Sequence, residues 1–257
     1  MKVVILAGGF GTRLSEETVN RPKPMVEVGG RPILWHIMKI YAHYGFNEFV
    51  AALGYRADMI KQYFLDYSKL NGNFSITFKG EEEQITRYEK DDWTVHLIDT
   101  GYNSGTGGRI KLLKDFLGNE PFMLTYGDGV SNIPVDKVLE FHKSHGKMVT
   151  LSAVRPPAKF GGLFINEESQ ITSFTEKPQT GEGWINGGYM VCQPEVIDYI
   201  PSTTASFESD ALEAVARDGQ LMAYQHDGFW QCMDAKRDQT YLEGLWSAGK
   251  APWKVWE

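Results

Sequence analysis

The chain of 257 residues has few cysteines, no excess of basic residues and no long apolar run. Its two cysteines, Cys192 and Cys232, lie far apart without a Cys-x-x-Cys pair, which indicates neither a zinc site nor a disulfide framework. Lysine and arginine total 26 against 33 aspartates and glutamates, and the net charge of −7 argues against a nucleic-acid coat or a basic membrane surface. With 42% hydrophobic and 23% charged residues, disordered and fibrous classes are also excluded.

No segment approaches the ~18–20 apolar residues of a membrane-spanning helix. The N-terminal apolar run of residues 2–7 ends at Gly8 and is shorter than most secretion signals, so it predicts a first buried strand. Together with two cysteines that we expect to be free thiols, this favours a cytoplasmic location.

Short apolar runs alternate with helical patterns over the first 154 residues. This alternation predicts an α/β fold, with a Rossmann-like, mostly parallel mixed sheet flanked by helices and a β extension in the second half. We expect one domain, residues 1–257, with halves at about 1–150 and 151–257. Strands are predicted at residues 2–7, 48–53, 74–78, 93–98, 122–126, 148–154, 163–166, 171–175 and 184–192. Helices are predicted from residue 32 to 45 and at 57–70, 109–117, 135–145, 209–217 and 236–246.

The polar stretch of residues 80–92 is predicted to be a solvated loop, with an arm that contacts another subunit as the alternative. Ligands of such sheets bind at the carboxyl ends of strands. Functional residues are therefore expected just after Ala7, Ile98 and Tyr126.

A glycine-rich turn follows the first predicted strand directly, with the sequence Gly-Gly-Phe-Gly-Thr-Arg-Leu over residues 8–14. Glycines there let backbone N–H groups approach a phosphate. The turn fits neither a Walker A loop nor the third glycine of a dinucleotide fingerprint. The next segment, Arg-Pro-Lys-Pro-Met over residues 21–25, holds Lys23 between two prolines that restrict the backbone.

Together, LAGGFGTRL and RPKPM resemble the signature of the sugar-1-phosphate nucleotidyltransferase family, and the resemblance continues along nearly the whole chain. It implies the fold of that family, with a nucleotide-binding first half and a sugar-binding second half. The positions that it marks for nucleotide binding are Leu6, Ala7, Gly8, Gly9, Gly11, Thr12, Arg13, Lys23, Ser104, Arg109 and Gly127. Arg13, Lys23, Asp128 and Lys177 are the implied catalytic residues.

Further motifs supply the metal and sugar sites that the resemblance implies. Asp128, in LTYGDG, and Asp234, in FWQCMD, are expected to bind Mg²⁺. The sugar phosphate is expected to contact residues of the EKP, WINGGY and KFGG elements, namely Glu176, Lys177, Asn186, Gly187 and Gly161.

The segment TGGR at residues 106–109 departs from the Gly-x-Ala-x-Ala element of the thymidylyl- and uridylyltransferases and resembles the cytidylyltransferase branch. Arginine only donates hydrogen bonds, so Arg109 suits the N3 and O2 acceptors of cytosine and would oppose the N3–H of uracil. A phosphate contact or a solvated helix position remain the alternatives for Arg109.

The resemblance therefore implies transfer of the cytidylyl group of CTP to α-D-glucose 1-phosphate, giving CDP-glucose and pyrophosphate by Mg²⁺-dependent in-line attack. It also implies a homo-oligomer, possibly a hexamer, and a role in making CDP-linked dideoxysugars for surface polysaccharide such as the O-antigen of lipopolysaccharide. The alternatives are a uridylyl- or thymidylyltransferase acting on a hexose 1-phosphate, and a non-catalytic nucleotide-sugar sensor of the same fold. Neither nucleic acid nor membrane is expected as a partner.

Overall fold

A computed structural model describes residues 1–11, 21–79, 82–87, 91–156, 162–165, 171–175 and 183–257. Within these ranges, fifteen strands are numbered in chain order. They are β1 (Lys2–Leu6), β2 (Glu27–Val28), β3 (Arg31–Pro32), β4 (Glu48–Leu53), β5 (Phe74–Lys79), β6 (Glu82–Arg87), β7 (Thr94–Asp99), β8 (Phe122–Tyr126), β9 (Gly129–Ser131), β10 (Val149–Val154), β11 (Gly162–Ile165), β12 (Ile171–Thr175), β13 (Ile185–Cys192), β14 (Leu221–His226) and β15 (Trp230–Cys232).

The helices of the described ranges flank these strands. They are α1 (Ile33–His43), α2 (Ala57–Leu70), α3 (Thr106–Leu112), α4 (Lys114–Leu117), α5 (Val135–His145), α6 (Glu213–Arg217) and α7 (Lys236–Ser247), with 3₁₀ turns at Lys23–Met25 and Pro194–Tyr199 and a π-helical segment at Phe207–Leu212. No helix of the described residues is long and apolar enough to cross a membrane.

A seven-stranded sheet in the order β14-β10-β13-β8-β1-β4-β7 forms the centre of the protein. Strands β8, β1, β4 and β7 run parallel, whereas β13 is antiparallel to both of its neighbours. The fold is therefore the predicted mixed, mostly parallel sheet.

Both faces of this sheet are covered, which explains why its central strands are continuously apolar. In β1, Val3 and Ile5 pack into one hydrophobic cluster with α1, while Val4 and Leu6 pack into a second cluster with Val196 and other residues of the opposite face. Covered faces leave the carboxyl edge of β1 and β8 as the place where polar groups meet.

Most predicted elements are confirmed within one or two residues, and β4, α2, β8 and α5 have the predicted bounds. The predicted solvated loop at residues 80–92 is wrong in part, because Glu82–Arg87 forms β6 and pairs with β5 in an antiparallel hairpin. Helix α3 begins at Thr106 rather than at Arg109. The predicted helix at 209–217 is a π-helical segment followed by the short α6.

The C-terminal aromatic residues pack against the protein's own core. Trp253 is fully buried, and its indole Nε1 donates to Nδ1 of the buried His36 at 3.3 Å. The other ring nitrogen of His36, Nε2, lies 2.8 Å from the carbonyl oxygen of Val28 and therefore carries the ring proton. The Trp253 contact requires an unprotonated Nδ1 and therefore the neutral imidazole, and burial lowers the pKa of His36 to about 4.

We expect His36 to make folding stability pH-dependent in mildly acidic solution. The unfolded imidazole takes up a proton below its ordinary pKa of 6.5, whereas the folded one does not until about pH 4. The free energy of unfolding should therefore fall as the pH drops from about 6.5 towards 4, by roughly 3 kcal/mol from this group. Urea unfolding of His36→Gln should show a shallower fall than the wild type. The exposed His43→Gln variant is the control, and parallel curves for wild type and His36→Gln would contradict this role.

Candidate active site

A cavity of about 380 Å³ lies at the carboxyl ends of β1 and β8. Eleven predicted site residues line it, together with three that sequence reasoning did not select, Pro24, Thr106 and Tyr126. The eleven are Leu6, Ala7, Gly8, Gly9, Gly11, Lys23, Ser104, Arg109, Gly127, Asp128 and Asp234. The fold thus brings the first-half motifs and Asp234 to one place.

The glycine-rich turn is tied to the two strands that flank β1. Ala7 N donates to Ala52 O at 3.0 Å, and Tyr55 N donates to Gly8 O at 3.1 Å. On the other side, Gly127 N donates to Leu6 O at 3.1 Å. Gly11 has a φ of 64°, in the left-handed region that favours glycine.

Arg109 clamps this turn from α3. Its guanidinium Nη1 donates to Leu53 O at 2.9 Å, to Thr100 Oγ1 at 2.9 Å and to Gly101 O at 2.8 Å, and its Nη2 donates to Gly8 O at 2.8 Å. Arg109 is buried, with 3% of its surface exposed, yet it still lines the cavity. The guanidinium is therefore held in one orientation before any ligand binds.

Two glycines make room for this arginine. A Cβ at Gly8 would lie 2.3 Å from the Arg109 Cζ, and a Cβ at Gly54 would lie 2.4 Å from its Nη1. The guanidinium thus packs between the backbone of the glycine-rich turn and the end of β4. The glycine at position 8 is required by this packing as well as by any approach to phosphate.

Lys23 lies between two carboxylates at the mouth of the turn. Its Nζ is 2.7 Å from Asp128 Oδ2 and 2.5 Å from Asp234 Oδ1. Burial acts to lower the pKa of Lys23, but the charges and hydrogen bonds of the two carboxylates outweigh it and raise the pKa. The lysine is therefore an ammonium ion, held on the 3₁₀ turn that Pro22 and Pro24 restrict.

Asp128 and Asp234 meet because two short strands pair. Asp128 follows β8 by two residues and Asp234 follows β15 by two. Strand β15 pairs with β9, with Cys232 opposite Gly129, and Met233 N donates to Asp128 O at 2.9 Å. The backbone of Asp234 is fixed in turn by Asp238, whose Oδ2 accepts from Asp234 N at 3.0 Å.

The two carboxylates fit a divalent metal ion that also binds phosphate. The Lys23 ammonium lies within hydrogen-bonding distance of both, so a single cation can contact both carboxylates at once. Among the described residues no group of three or more histidines, cysteines or carboxylates could hold a metal. Mg²⁺ in proteins is usually bound by one or two carboxylates, and substrate phosphates complete its coordination.

A second carboxylate network lies beside the cavity and was not predicted. Glu208, on the π-helical segment, accepts hydrogen bonds from the hydroxyls of Thr106 at 2.6 Å, Tyr126 at 2.5 Å and Ser206 at 2.7 Å. Burial acts to raise the pKa of Glu208, but these hydrogen bonds lower it by more, so the carboxylate is ionised near neutral pH. Tyr126 was within reach of sequence reasoning because it directly precedes the Gly-Asp pair, whereas no local pattern marks Glu208.

The predicted sugar-side residues Asn186 and Gly187 lie next to this network, on β13. Asn186 Nδ2 donates to the Tyr126 hydroxyl at 3.2 Å. Gly187 is buried, and its carbonyl accepts from Trp230 Nε1 at 2.7 Å. Neither residue lines the 380 Å³ cavity. Ser104 does line it, and its Oγ donates to Thr100 O at 2.5 Å.

Five predicted site residues lie outside the described residues: Thr12, Arg13, Gly161, Glu176 and Lys177. Strands β11 and β12 are described, and they pair antiparallel with Gly162 opposite Thr175. Gly161 and Glu176 directly adjoin these two paired positions in the sequence.

A glycine-rich turn, a fixed lysine and two carboxylates at the carboxyl edge of a mixed sheet are groups that a nucleotide-binding transferase requires. Residues 2–243 match the Nucleotidyl transferase family, and the chain belongs to that family. Enzymes of the family generally use a divalent metal ion.

Curated relatives narrow the comparison. The chain is 49% identical over 260 residues to the glucose-1-phosphate cytidylyltransferase of Salmonella typhi and 41% identical over 257 residues to the probable glucose-1-phosphate cytidylyltransferase of Bacillus subtilis, with 100% of each chain covered. Among solved structures, HddC from Yersinia pseudotuberculosis is similar with a TM-score of 0.70 and 26% identity, over 95% of this chain and 99% of that one.

Proposed function

We propose that the protein transfers the cytidylyl group of CTP to α-D-glucose 1-phosphate, releasing CDP-glucose and pyrophosphate. The observation that carries this proposal is the convergence of Lys23, Asp128 and Asp234 at the glycine-rich turn. The full-length similarity to the cytidylyltransferase of Salmonella typhi supports the choice of both substrates.

The chemistry requires alignment and charge neutralisation rather than a general base. A phosphate oxygen of the sugar phosphate is already an anion near neutral pH, and it attacks the α-phosphorus of CTP in line with the departing pyrophosphate. The central difficulty is repulsion between two polyanions. The residues of this chain must therefore supply positive charge and orientation.

We assign the roles from this requirement. Lys23 and Arg13 neutralise the leaving pyrophosphate, and backbone N–H groups of the glycine-rich turn hold the triphosphate. Asp128 and Asp234 hold Mg²⁺, which when bound offsets negative charge on the phosphate oxygens. Lys177 holds the phosphate of the sugar, and Glu176 orients its hydroxyls with Asn186 and the backbone of Gly187 and Gly161.

Arg109 provides the proposed discrimination between nucleotides. Among the described residues, its contacts use both hydrogens of Nη1 and one of Nη2. None of these contacts with described residues uses the second Nη2 hydrogen or the Nε hydrogen, and we assign these two donors to a ligand. A fixed donor edge matches the N3 and O2 acceptors of cytosine and opposes the N3–H of uracil and thymine.

The proposal is tested by pyrophosphate release with CTP and a panel of sugar 1-phosphates, with and without Mg²⁺. Glucose 1-phosphate should give the highest kcat/KM, and EDTA should abolish turnover. A higher kcat/KM with mannose 1-phosphate or galactose 1-phosphate would reject glucose as the acceptor, and turnover in EDTA would reject the metal.

The two lysines should fail in different ways. Lys177→Ala should mainly raise the KM for glucose 1-phosphate, because it removes binding of one substrate. Lys23→Ala should lower kcat, because it removes charge from the leaving group and frees two carboxylates that repel the phosphates. Steady-state kinetics with each substrate varied separates the effects. An unchanged KM for glucose 1-phosphate in Lys177→Ala would remove that lysine from the site.

We further propose a homo-oligomeric, cytoplasmic enzyme. The hairpin of β5 and β6 pairs Ile76 with Ile85, and both side chains are exposed, which supports a contact with a second copy of the chain. The contact between copies through the β5–β6 hairpin is tested by sedimentation of the wild type and the Ile76→Lys variant. The variant should have a lower mass in solution, and an unchanged mass would reject this contact.

The cytoplasmic location is supported by the cysteines. Cys192 and Cys232 are both free thiols, in keeping with a reducing compartment.

A further inference from the structure

The carboxylate of Glu208 fixes the direction of three hydroxyl hydrogens. An ionised carboxylate only accepts hydrogen bonds, so Thr106, Tyr126 and Ser206 must each point their hydrogen at it. Thr106 Oγ1 accepts in turn from Phe207 N at 2.8 Å, which holds the π-helical segment against the start of α3. The network therefore joins two elements that lie far apart in the sequence.

The consequence for Tyr126 is that its hydroxyl can only accept from other partners. A phenol has one hydrogen, and Glu208 takes it. Asn186 already uses one lone pair of this oxygen, at 3.2 Å, and the Asn186 amide is itself oriented because its Oδ1 accepts from Gly188 N at 2.8 Å. One acceptor position remains on the oxygen of a residue that lines the cavity.

The Tyr126 ring is also held in place by packing. A Cβ at Gly188 would lie 2.5 Å from the Tyr126 Cδ2, and Gly188 has a φ of 81° that favours glycine. The ring thus lies directly against the backbone of β13 and is connected through its hydroxyl to Glu208. Both the position and the polarity of this hydroxyl are set before a substrate binds.

We propose that Glu208 is a positioning residue that makes the Tyr126 hydroxyl a dedicated hydrogen-bond acceptor for a hydroxyl group of a bound substrate. This inference rests on the proposed function, because it needs a substrate with hydroxyl groups in the 380 Å³ cavity. The hydroxyl comes either from the hexose of the sugar phosphate or from the ribose of the nucleotide. A site that pairs with a hydroxyl rejects analogues that lack it, since the remaining acceptor position of the half-buried tyrosine oxygen is then left without a donor.

Substrates that lack single hydroxyls test this role. We would measure kcat/KM for glucose 1-phosphate and its 2-, 3-, 4- and 6-deoxy analogues with CTP, and for CTP and its 2′- and 3′-deoxy analogues with glucose 1-phosphate. The proteins are the wild type, Tyr126→Phe, Glu208→Gln and, as control, Glu213→Gln, which changes an exposed glutamate of α6. For each protein we take the ratio of kcat/KM with the parent substrate to kcat/KM with the analogue. Because both values come from the same preparation, any loss of folded enzyme cancels.

In the wild type, kcat/KM should be about tenfold or more lower with one deoxy analogue than with the parent substrate. The position missing in that analogue shows whether the hexose or the ribose supplies the hydroxyl. In Tyr126→Phe the loss should disappear, because the acceptor is gone. In Glu208→Gln it should shrink, because an amide can donate to the tyrosine and turn its hydrogen towards the cavity. Glu213→Gln should keep the wild-type ratio. For a variant that turns over too slowly, equilibrium binding of the same pairs of ligands gives the ratio.

Equal ratios in the wild type, Tyr126→Phe and Glu208→Gln would overturn the inference, as would a wild type that discriminates against none of the analogues. A uniform loss with every analogue in Glu208→Gln would assign Glu208 a structural role and would also overturn it. Absence of any product from the wild type with CTP and glucose 1-phosphate would instead reject the proposed function, so the two failures are distinguishable.

Discussion

Asp128→Asn and Asp234→Asn should each lower kcat at saturating Mg²⁺ by about a thousandfold or more, which corresponds to roughly 4 kcal/mol of barrier. Each substitution keeps the shape of the side chain and removes a charge. Each carboxylate charge has two roles. It pairs with the Lys23 ammonium, and it forms one half of the proposed Mg²⁺ site. Steady-state kinetics over a range of Mg²⁺ concentrations measures the effect.

The matched control is Asp198→Asn. Asp198 is an exposed aspartate that pairs with Lys114 at 2.6 Å, and such surface pairs contribute about 0–1 kcal/mol. Its kcat should remain close to that of the wild type, and circular dichroism should show that all three variants fold. Near-normal turnover in Asp128→Asn or Asp234→Asn would show that the carboxylate concerned is not a metal ligand.

Arg109→Ala should affect both the turn and the choice of nucleotide. It removes the guanidinium hydrogen bonds to Leu53 O, Gly101 O and Gly8 O. Leu53 O and Gly8 O keep the backbone donors Thr100 N and Tyr55 N, so each lost bond costs about 0.5–1.5 kcal/mol. We expect a lower melting temperature and lower kcat/KM with every nucleotide. We also expect the ratio of kcat/KM for CTP over UTP to narrow by roughly 1–3 kcal/mol, because one specific pairing with the base is lost.

Gly54→Ala is the control that displaces the guanidinium without removing it. The new Cβ would lie 2.4 Å from the Arg109 Nη1, so the end of the arginine must shift. If the orientation of the Arg109 guanidinium determines which base is accepted, Gly54→Ala should also lower the ratio of kcat/KM for CTP over UTP. An unchanged ratio in both variants, with both nucleotides impaired alike, would reduce Arg109 to a clamp on the glycine-rich turn.

Features with a local signal in the sequence could be predicted. The apolar run of β1 and the periodic patterns of α2 and α5 specify their elements directly, and the motif around Asp128 lies where a buried strand ends. Because parallel strands share a carboxyl edge, these motifs converge in one cavity. Local chemistry and topology were sufficient for this part of the site.

Features that depend on long-range contacts could not be predicted. Strand β6 contains charged and polar residues at successive positions, so it lacks the alternation that marks a half-buried strand, and only its pairing with β5 defines it. The contacts of Glu208 with Thr106 and Tyr126 join residues 102 and 82 positions apart. The clamp of Arg109 on Gly8 spans 101 positions, and no spacing rule links the two residues.

The most direct test of the central claim is a competition among nucleotides in one reaction. The wild-type protein is given Mg²⁺, equal concentrations of CTP, UTP, dTTP and GTP, and a limiting amount of glucose 1-phosphate. The sugar nucleotides that form are then distinguished by mass. The product ratio equals the ratio of kcat/KM values. We predict that CDP-glucose dominates and that pyrophosphate forms in equal amount. UDP-glucose or dTDP-glucose as the main product, or no sugar nucleotide at all, would contradict the account.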